Sequence, residues 1–422
     1  MQFRLLIIGV FLVFQSSVNA QTGITLEDIW KNYKFYEKSV PGFNFLNDGR
    51  HYTKLNQDRD QILKYDITTG AMVEQIWSAA NFAGEAGFEG EISAYTFTDD
   101  ESKIVIESRR ESIYRRSSKA VFHIYDRTSK KLSPVYEEGK VQYCTVSPDG
   151  TKAAYVFMNN IYYLDLSSGI TEPITTDGSF NEIINGATDW VYEEEFSFAK
   201  AFFWSPDSKK IAFIRFDEKE VPEFTMTEHH DEVYPQYITF KYPKVGQKNA
   251  EVSTHIYHLD NASTVKVDMG DMSDMYIPRI KWTLAADKLC VFKMNRHQNN
   301  LQLLLANSKT GKATKLLQEK NDYYIDITDN LNFLKDGEHF IWTSEKSGFN
   351  HIYLYDMNGK EQQALTRGDY DVTSFYGVDE VNGKVYYQAA KESPLNREVY
   401  ETDIKSGSSK KISNKLGTNS AQ

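Results

Sequence analysis

The stretch Pro148-Asp149-Gly150-Thr151-Lys152-Ala153-Ala154-Tyr155-Val156-Phe157-Met158-Asn159-Asn160-Ile161-Tyr162-Tyr163-Leu164-Asp165 carries the pattern from which the fold follows. It reads as a turn, an apolar strand at 152–157, and a second, aromatic strand at 161–165 that closes on Asp. The same unit is legible seven times. Its turns are Asn47-Asp48-Gly49, Asp99-Asp100, Pro148-Asp149-Gly150, Pro206-Asp207-Ser208, Ala286-Asp287, Lys335-Asp336-Gly337 and Asn382-Gly383. Further closing strands run over 62–66, 122–126, 256–260, 352–356 and 399–403, each ending in Asp; the fifth copy departs, with 301–305 followed by Ala306.

Residues 48, 100, 149, 207, 287, 336 and 382 are spaced by 52, 49, 58, 80, 49 and 46. A pitch of about 50 residues fits one four-stranded sheet per repeat. Such a sheet cannot bury both faces alone, so copies stack radially, and the expected fold is an all-β propeller with seven readable blades. A β-helix would need a shorter period, and a sandwich a less regular one. The long interval of 80 places an insertion of about 30 residues after Phe216. It passes through Glu220-Val221-Pro222 to Tyr242-Pro243-Lys244-Val245-Gly246 and is expected to leave the blade as an arm. A second insertion covers 179–203.

Ahead of the repeats, Thr25-Leu26-Glu27-Asp28 followed by Ile29, Trp30 and Tyr33 reads as a capped amphipathic helix within a segment 21–41. The first residues read as an export signal: Arg4, an apolar run over 5–14, and Val18-Asn19-Ala20 as the cleavage site, so that 1–20 is removed. The expected location is periplasmic or extracellular, with no integral membrane span after cleavage. The aromatic content of 14% favours sheet surfaces, and a net charge of -11 disfavours nucleic acid as a partner. Cys144 and Cys290 sit in strand-like runs as small buried hydrophobes, His229-His230-Asp231 reads as a solvated loop, and no spacing suggests a metal or a cofactor.

Asp189-Trp190-Val191-Tyr192-Glu193-Glu194-Glu195-Phe196 puts three consecutive carboxylates in an aromatic segment. On a strand they would point to alternate faces. On a short helix capped by Asp189, with the glutamates near its first turn where the helix dipole favours them, two can close on one ammonium. The alternative is a solvated acidic helix start. Arg109-Arg110 and Arg115-Arg116 form a basic stretch that can present a guanidinium to a peptide carbonyl, or can be a solvated loop. No G-x-S-x-G elbow occurs, so no serine here is assigned as a nucleophile and no residue as catalytic.

The chain resembles dipeptidyl peptidase IV of the prolyl oligopeptidase group, particularly its exported bacterial members. The likeness rests on Asp189-Trp190-Val191-Tyr192-Glu193-Glu194-Glu195, Phe203-Trp204-Ser205-Pro206-Asp207, Glu220-Val221-Pro222 and Tyr242-Pro243-Lys244-Val245-Gly246, in that order. The resemblance implies an eight-bladed propeller covering an α/β-hydrolase domain, with Glu194 and Glu195 holding the substrate's free amino terminus. It also implies that Arg115, or failing that Arg116, meets the penultimate carbonyl. An aromatic-arginine pair known from some members has no match around 325–334. A propeller over 42–422 that is incomplete at its C-terminus, lacking an eighth blade and the hydrolase domain with its Ser, Asp and His, is the resulting expectation: a fragment inactive alone. The implied function is to gate and anchor peptides from which a serine exopeptidase releases X-Pro or X-Ala dipeptides. Its partners would be those peptides, the missing hydrolase domain and a second copy in a homodimer. The competing expectation is a non-catalytic exported propeller that binds peptides or serves as a scaffold. A related aminopeptidase or tripeptidyl peptidase is a third reading.

Overall fold

The structure is a computed structural model that describes residues 23–36, 42–82 and 88–422. The leader read at 1–20 lies outside the described residues. Two compact units divide the chain, Met1–Phe43 and Asn44–Gln422. In the first, helix α1 spans Leu26–Trp30. Thr25 caps it by accepting the Asp28 amide, and the Asp28 carboxylate accepts in return from the Thr25 amide, which is the reciprocal box the sequence called for.

Among the described residues the second unit holds seven antiparallel sheets built on four strand positions, with consecutive positions paired to each other. Blade 1 comprises Asn44–Phe45, His51–Leu55, Gln61–Asp66 and Met72–Ser78; blade 2, Ile92–Phe97, Lys103–Ser112, Ser118–Asp126 and Leu132–Pro134. Blade 3 comprises Gln142–Val146, Lys152–Phe157, Asn160–Asp165 and Thr171–Pro173. In blade 4 the innermost position is shared by Ile183–Asn185 and Phe202–Trp204, followed by Lys210–Asp217, Glu251–His258 and Ser263–Lys266. Blade 5 is similarly split, with Met275–Tyr276 and Ile280–Trp282 beside Lys288–Asn295, then Asn300–Asn307 and Ala313–Lys320. Blade 6 comprises Asn332–Phe333, His339–Ser344, His351–Asp356 and Glu361–Ala364; blade 7, Val372–Asp379, Lys384–Ala389, Glu398–Asp403 and Ser409–Lys411. The arm after Phe216 is a separate hairpin of Glu223–Glu228 and Gln236–Lys241. Among the described residues no helix is long and apolar enough to cross a membrane.

The repeated turn residues have a local cause. Before the second strand of blade 3, the Ser147 hydroxyl accepts from the Lys152 amide at 3.0 Å and donates to Asp149 Oδ1, which also takes the Thr151 amide. Ser205 and Asp207 repeat this in blade 4. At the end of the third strand, Asp165 Oδ1 accepts the amides of Ser167 and Ser168, and Asp66 and Asp126 do the same in their blades. The fifth copy is regular after all: its third strand runs on to Asn307, whose side-chain oxygen accepts from Lys309 and Thr310 in the aspartate's place. In blade 4 the strand stops at His258, short of the expected 260.

Burial runs between blades. Ile62, Trp77, Ile92 and Ile104 pack blade 1 on blade 2, and Val105, Phe122, Ala153 and Tyr155 pack blade 2 on blade 3. One cluster continues through blades 3 to 6, and another joins blades 6 and 7. Inner-strand tryptophans reach backwards: Trp204 donates to the Thr145 carbonyl of blade 3, and Trp282 to the Phe203 carbonyl of blade 4. Cys144 and Cys290 are buried free thiols in this core.

Glycines in the outer hairpins let one blade's turn lie on the outer strand of its predecessor. A Cβ on Gly311 would overlap the Lys266 carbonyl, and one on Gly359 would overlap the Leu316 carbonyl. Gly359→Ala is expected to lower stability by about 3 kcal/mol or more, since backbone overlap adds to the cost of a left-handed residue. Gly337→Ala, with a φ of +71° but open space around it, should cost about 1 kcal/mol. Urea unfolding followed by circular dichroism checks this; equal losses would mean that the inter-blade contact contributes nothing.

Candidate functional site

The second insertion folds as helix α2, Trp190–Glu195, set between the two inner segments of blade 4. Asp189 caps it, its Oδ1 accepting the Tyr192 amide at 2.9 Å. Tyr192 is buried and its hydroxyl accepts the Ile277 amide of blade 5 at 2.9 Å, while its ring meets Phe216 edge-on at 4.8 Å. The helix is thus fixed in rotation, and its three glutamates are sorted by the 100° step between successive residues.

Glu193 turns inward and is fully buried. Its Oε1 accepts the backbone amides of Arg116 at 2.5 Å and Ser117 at 2.7 Å, so it clamps the basic loop of blade 2 onto the helix. Arg116 completes the clamp, donating to the Glu193 carbonyl at 3.2 Å and the Ser197 hydroxyl at 3.0 Å. Its guanidinium is therefore committed to structure. Arg115, by contrast, has a side chain 70% exposed and among the described residues engages Glu194, through Nε at 3.1 and 2.8 Å from the two carboxylate oxygens. Both of its terminal NH2 groups are without a hydrogen bond among the described residues.

Glu194 and Glu195 are the last two residues of α2, one half-buried and one exposed. The expected help from the helix dipole is corrected here: only Glu193 lies in the first turn, and the other two sit where the local carbonyls disfavour negative charge. A cation bound there would be stabilised by both the carboxylates and the helix end. Sequence reading missed the tether role of Glu193, which no residue-type rule signals. It also missed Tyr324, in the connection between blades 5 and 6. Burial, Asp326 and Glu195 raise that phenol's pKa, which sets it within electrostatic reach of Glu195. Tyr324 occupies the neighbourhood where no aromatic-arginine pair could be read.

A second acidic group lies at the other end of the helix. Burial pushes Asp189 up to about 7. Burial, and then the charge of Asp189, push Glu218 up to about 8 against an opposing contribution from Lys241. Tyr114 rises to about 12, from burial and from Glu218, Glu193 and Asp189.

For a carboxyl raised in the folded state, the folded chain keeps a proton that the unfolded chain gives up near 4. The stabilisation is complete at pH values below the unfolded pKa and is lost as pH rises through the folded value. Stability should therefore fall between about pH 4 and 8. Asp189→Asn and Glu218→Gln should each flatten that decline; urea midpoints across the range, with variant slopes equal to the wild type, would refute it.

Residues 98–422 match the family described as the dipeptidyl peptidase IV (DPP IV) N-terminal region. The chain is similar to a probable dipeptidyl peptidase 4 of Emericella nidulans, 30% identical over 85% of this chain and 48% of that protein. It is also similar to one of Aspergillus clavatus, 32% identical over 69% of this chain and 40% of that one. A crystal structure of Porphyromonas gingivalis dipeptidyl peptidase 4 superposes with a TM-score of 0.88 at 40% identity, covering 94% of this chain and 56% of that one. A putative dipeptidyl aminopeptidase IV from Bacteroides ovatus shares the fold, with a TM-score of 0.70 at 20% identity. The chain spans less than half the length of these curated relatives.

Proposed function

This chain belongs to the dipeptidyl peptidase IV family through its N-terminal propeller region, and from that premise we propose that it anchors the free amino terminus of peptides for a serine exopeptidase that releases X-Pro or X-Ala dipeptides. The observation that carries the reading is the pairing at the end of α2: Arg115 bound to Glu194 through Nε, its terminal NH2 groups without a partner among the described residues, beside an exposed Glu195.

The substrate's ammonium lies between the Glu194 and Glu195 carboxylates, each charge-assisted bond contributing about 1.5 to 3 kcal/mol. Arg115, already oriented by Glu194, donates through its free NH2 groups to the carbonyl of the penultimate residue. With the ammonium fixed, the bond after the second residue stands at a set distance from the anchor, and a nucleophile placed there cuts dipeptides. The acyl transfer itself belongs to a serine of an α/β-hydrolase domain. The leader-like residues 1–20 support export, so that the peptides are met in the periplasm or outside the cell.

Saturation-transfer NMR on the chain tests the anchor directly. Alanyl-proline amide should receive saturation at neutral pH, and its N-acetyl form, which lacks the ammonium, should not. Glu194→Gln or Glu195→Gln should weaken binding by about tenfold or more, and Arg115→Ala by less. Equal signals from the free and acetylated peptides would overturn the assignment. In a polypeptide that also carries the catalytic domain, the same glutamate variants should lose most of kcat/KM towards a Gly-Pro substrate.

A further inference from the structure

We propose that the cavity at the N-terminal end of α2 is a second cation site, which takes a small arylalkyl ammonium and is separate from the pair Glu194 and Glu195. The cavity has a volume of about 610 Å³ and lies where the basic loop of blade 2, the hairpin of blade 3 and the first segment of blade 4 meet. That volume is of the size that encloses small organic ligands, roughly 300 to 1,000 Å³. Much of its wall is aromatic: Tyr114, Tyr143, Phe157, Phe180 and Trp190.

Two carboxyls line this apolar chamber, Asp189 and Glu218, and each is only 5% exposed. Asp189 receives the Tyr192 amide, its contribution as a helix cap. The Glu218 carboxyl receives no hydrogen bond and joins no ion pair among the described residues. Burying an acid without a partner is costly, and the cost is met either by a proton or by a cation. The raised pKa values of both groups say that the proton is what they hold when the chamber has no cation. An ammonium between them would take over that role, while its apolar body covers the aromatic wall, including the ring faces suited to a cation.

The chain's own cations are otherwise engaged. Lys241 donates to the carbonyls of Val221 at 2.9 Å and Lys219 at 3.3 Å. Lys119 and Lys140, at the rim, both grip Glu111 at 2.9 Å. A ligand carboxylate in the chamber meets the two acids, while Lys241, whose charge acts on Glu218, is already held by two carbonyls. The site therefore selects amines over amino acids, and organic ammonium over a metal ion, for which two acids on an aromatic wall offer too few oxygens.

Isothermal titration of the full chain with 2-phenylethylamine tests this. The amine should bind, and 2-phenylethanol, of like shape without the charge, and phenylalanine, with an added carboxylate, should each bind about tenfold more weakly or worse. Glu218→Gln should lose the amine by a similar factor, while Glu195→Gln retains it, which separates this site from the substrate anchor. No binding of the amine to the wild-type chain at about 10 mM, equal binding of the alcohol, or a loss that follows Glu195→Gln and not Glu218→Gln would overturn the proposal. If Glu218→Gln fails to fold, the comparison of amine and alcohol in Glu195→Gln decides the matter: a preference for the amine that persists there supports the cavity, and one that disappears overturns it.

Discussion

Apolar side chains on both faces of blades 2 to 6 are the constraint on which the rest of this molecule depends. A four-stranded sheet of this kind gains little by folding alone, because half of what it must remove from water is covered only by its neighbour. Inter-blade features therefore recur where a single sheet would not need them: the tryptophan N–H groups of blades 4 and 5 that reach back to the preceding blade, and the glycines whose turns lie on the preceding outer strand. The same constraint says where sequence can be added. Strand Lys210–Asp217 pairs with Glu251–His258 in unbroken register although the whole arm lies between them. An insertion at a blade's end leaves both apolar faces intact, and blade 4 carries the arm and α2 on the same side, where Trp190 meets Tyr242 at 4.2 Å.

On that frame, the decisive local interaction is the buried Glu193 carboxylate. It ties blade 2 to a helix inserted in blade 4, while the Tyr192 hydroxyl ties the same helix to blade 5. Three blades thereby fix a helix of six residues that would be unstable by itself. The Arg115–Glu194 pair has a different role. With the arginine largely exposed, its contribution to stability is about 0 to 1 kcal/mol. Its consequence is orientation: one edge of the guanidinium is held, and the other is left to donate.

Most of the fold was legible because turn chemistry is local. The Ser-x-Asp clasps and the closing aspartates each satisfy backbone amides within five residues, so the pattern survives in sequence without knowledge of neighbours. The fifth repeat looked irregular only because Asn307 performs the aspartate's task two residues beyond the expected strand. At the site, the helix and its Asp189 cap were legible for the same reason. The division of labour among Glu193, Glu194 and Glu195 was not available from residue types, since it depends on which way Tyr192 and Ile277 rotate the helix. By resemblance alone Glu194 and Glu195 stood out, and the geometry adds a reason: Glu193 is consumed by the loop. Glu218 and Tyr324 were invisible to sequence reading, each being brought towards α2 by a segment far along the chain.

The two ends of α2 handle negative charge in opposite ways, and burial is what separates them. At the exposed end, water and Arg115 let carboxylates remain close together beside a helix terminus that disfavours them, a standing demand for positive charge. At the buried end, desolvation is the largest contribution for both acids, and they lower their cost by holding protons. A cation arriving at the first end meets charges already formed. At the second it must displace a proton, so binding there is linked to pH and to the state of the helix cap. Because Asp189 belongs to that inner group and also caps α2, any ligand that changes its charge acts on the helix that carries Glu194 and Glu195. The sequence Asp-Trp-Val-Tyr-Glu-Glu-Glu thus joins a buried, protonatable end to a more exposed acidic one across six residues of helix.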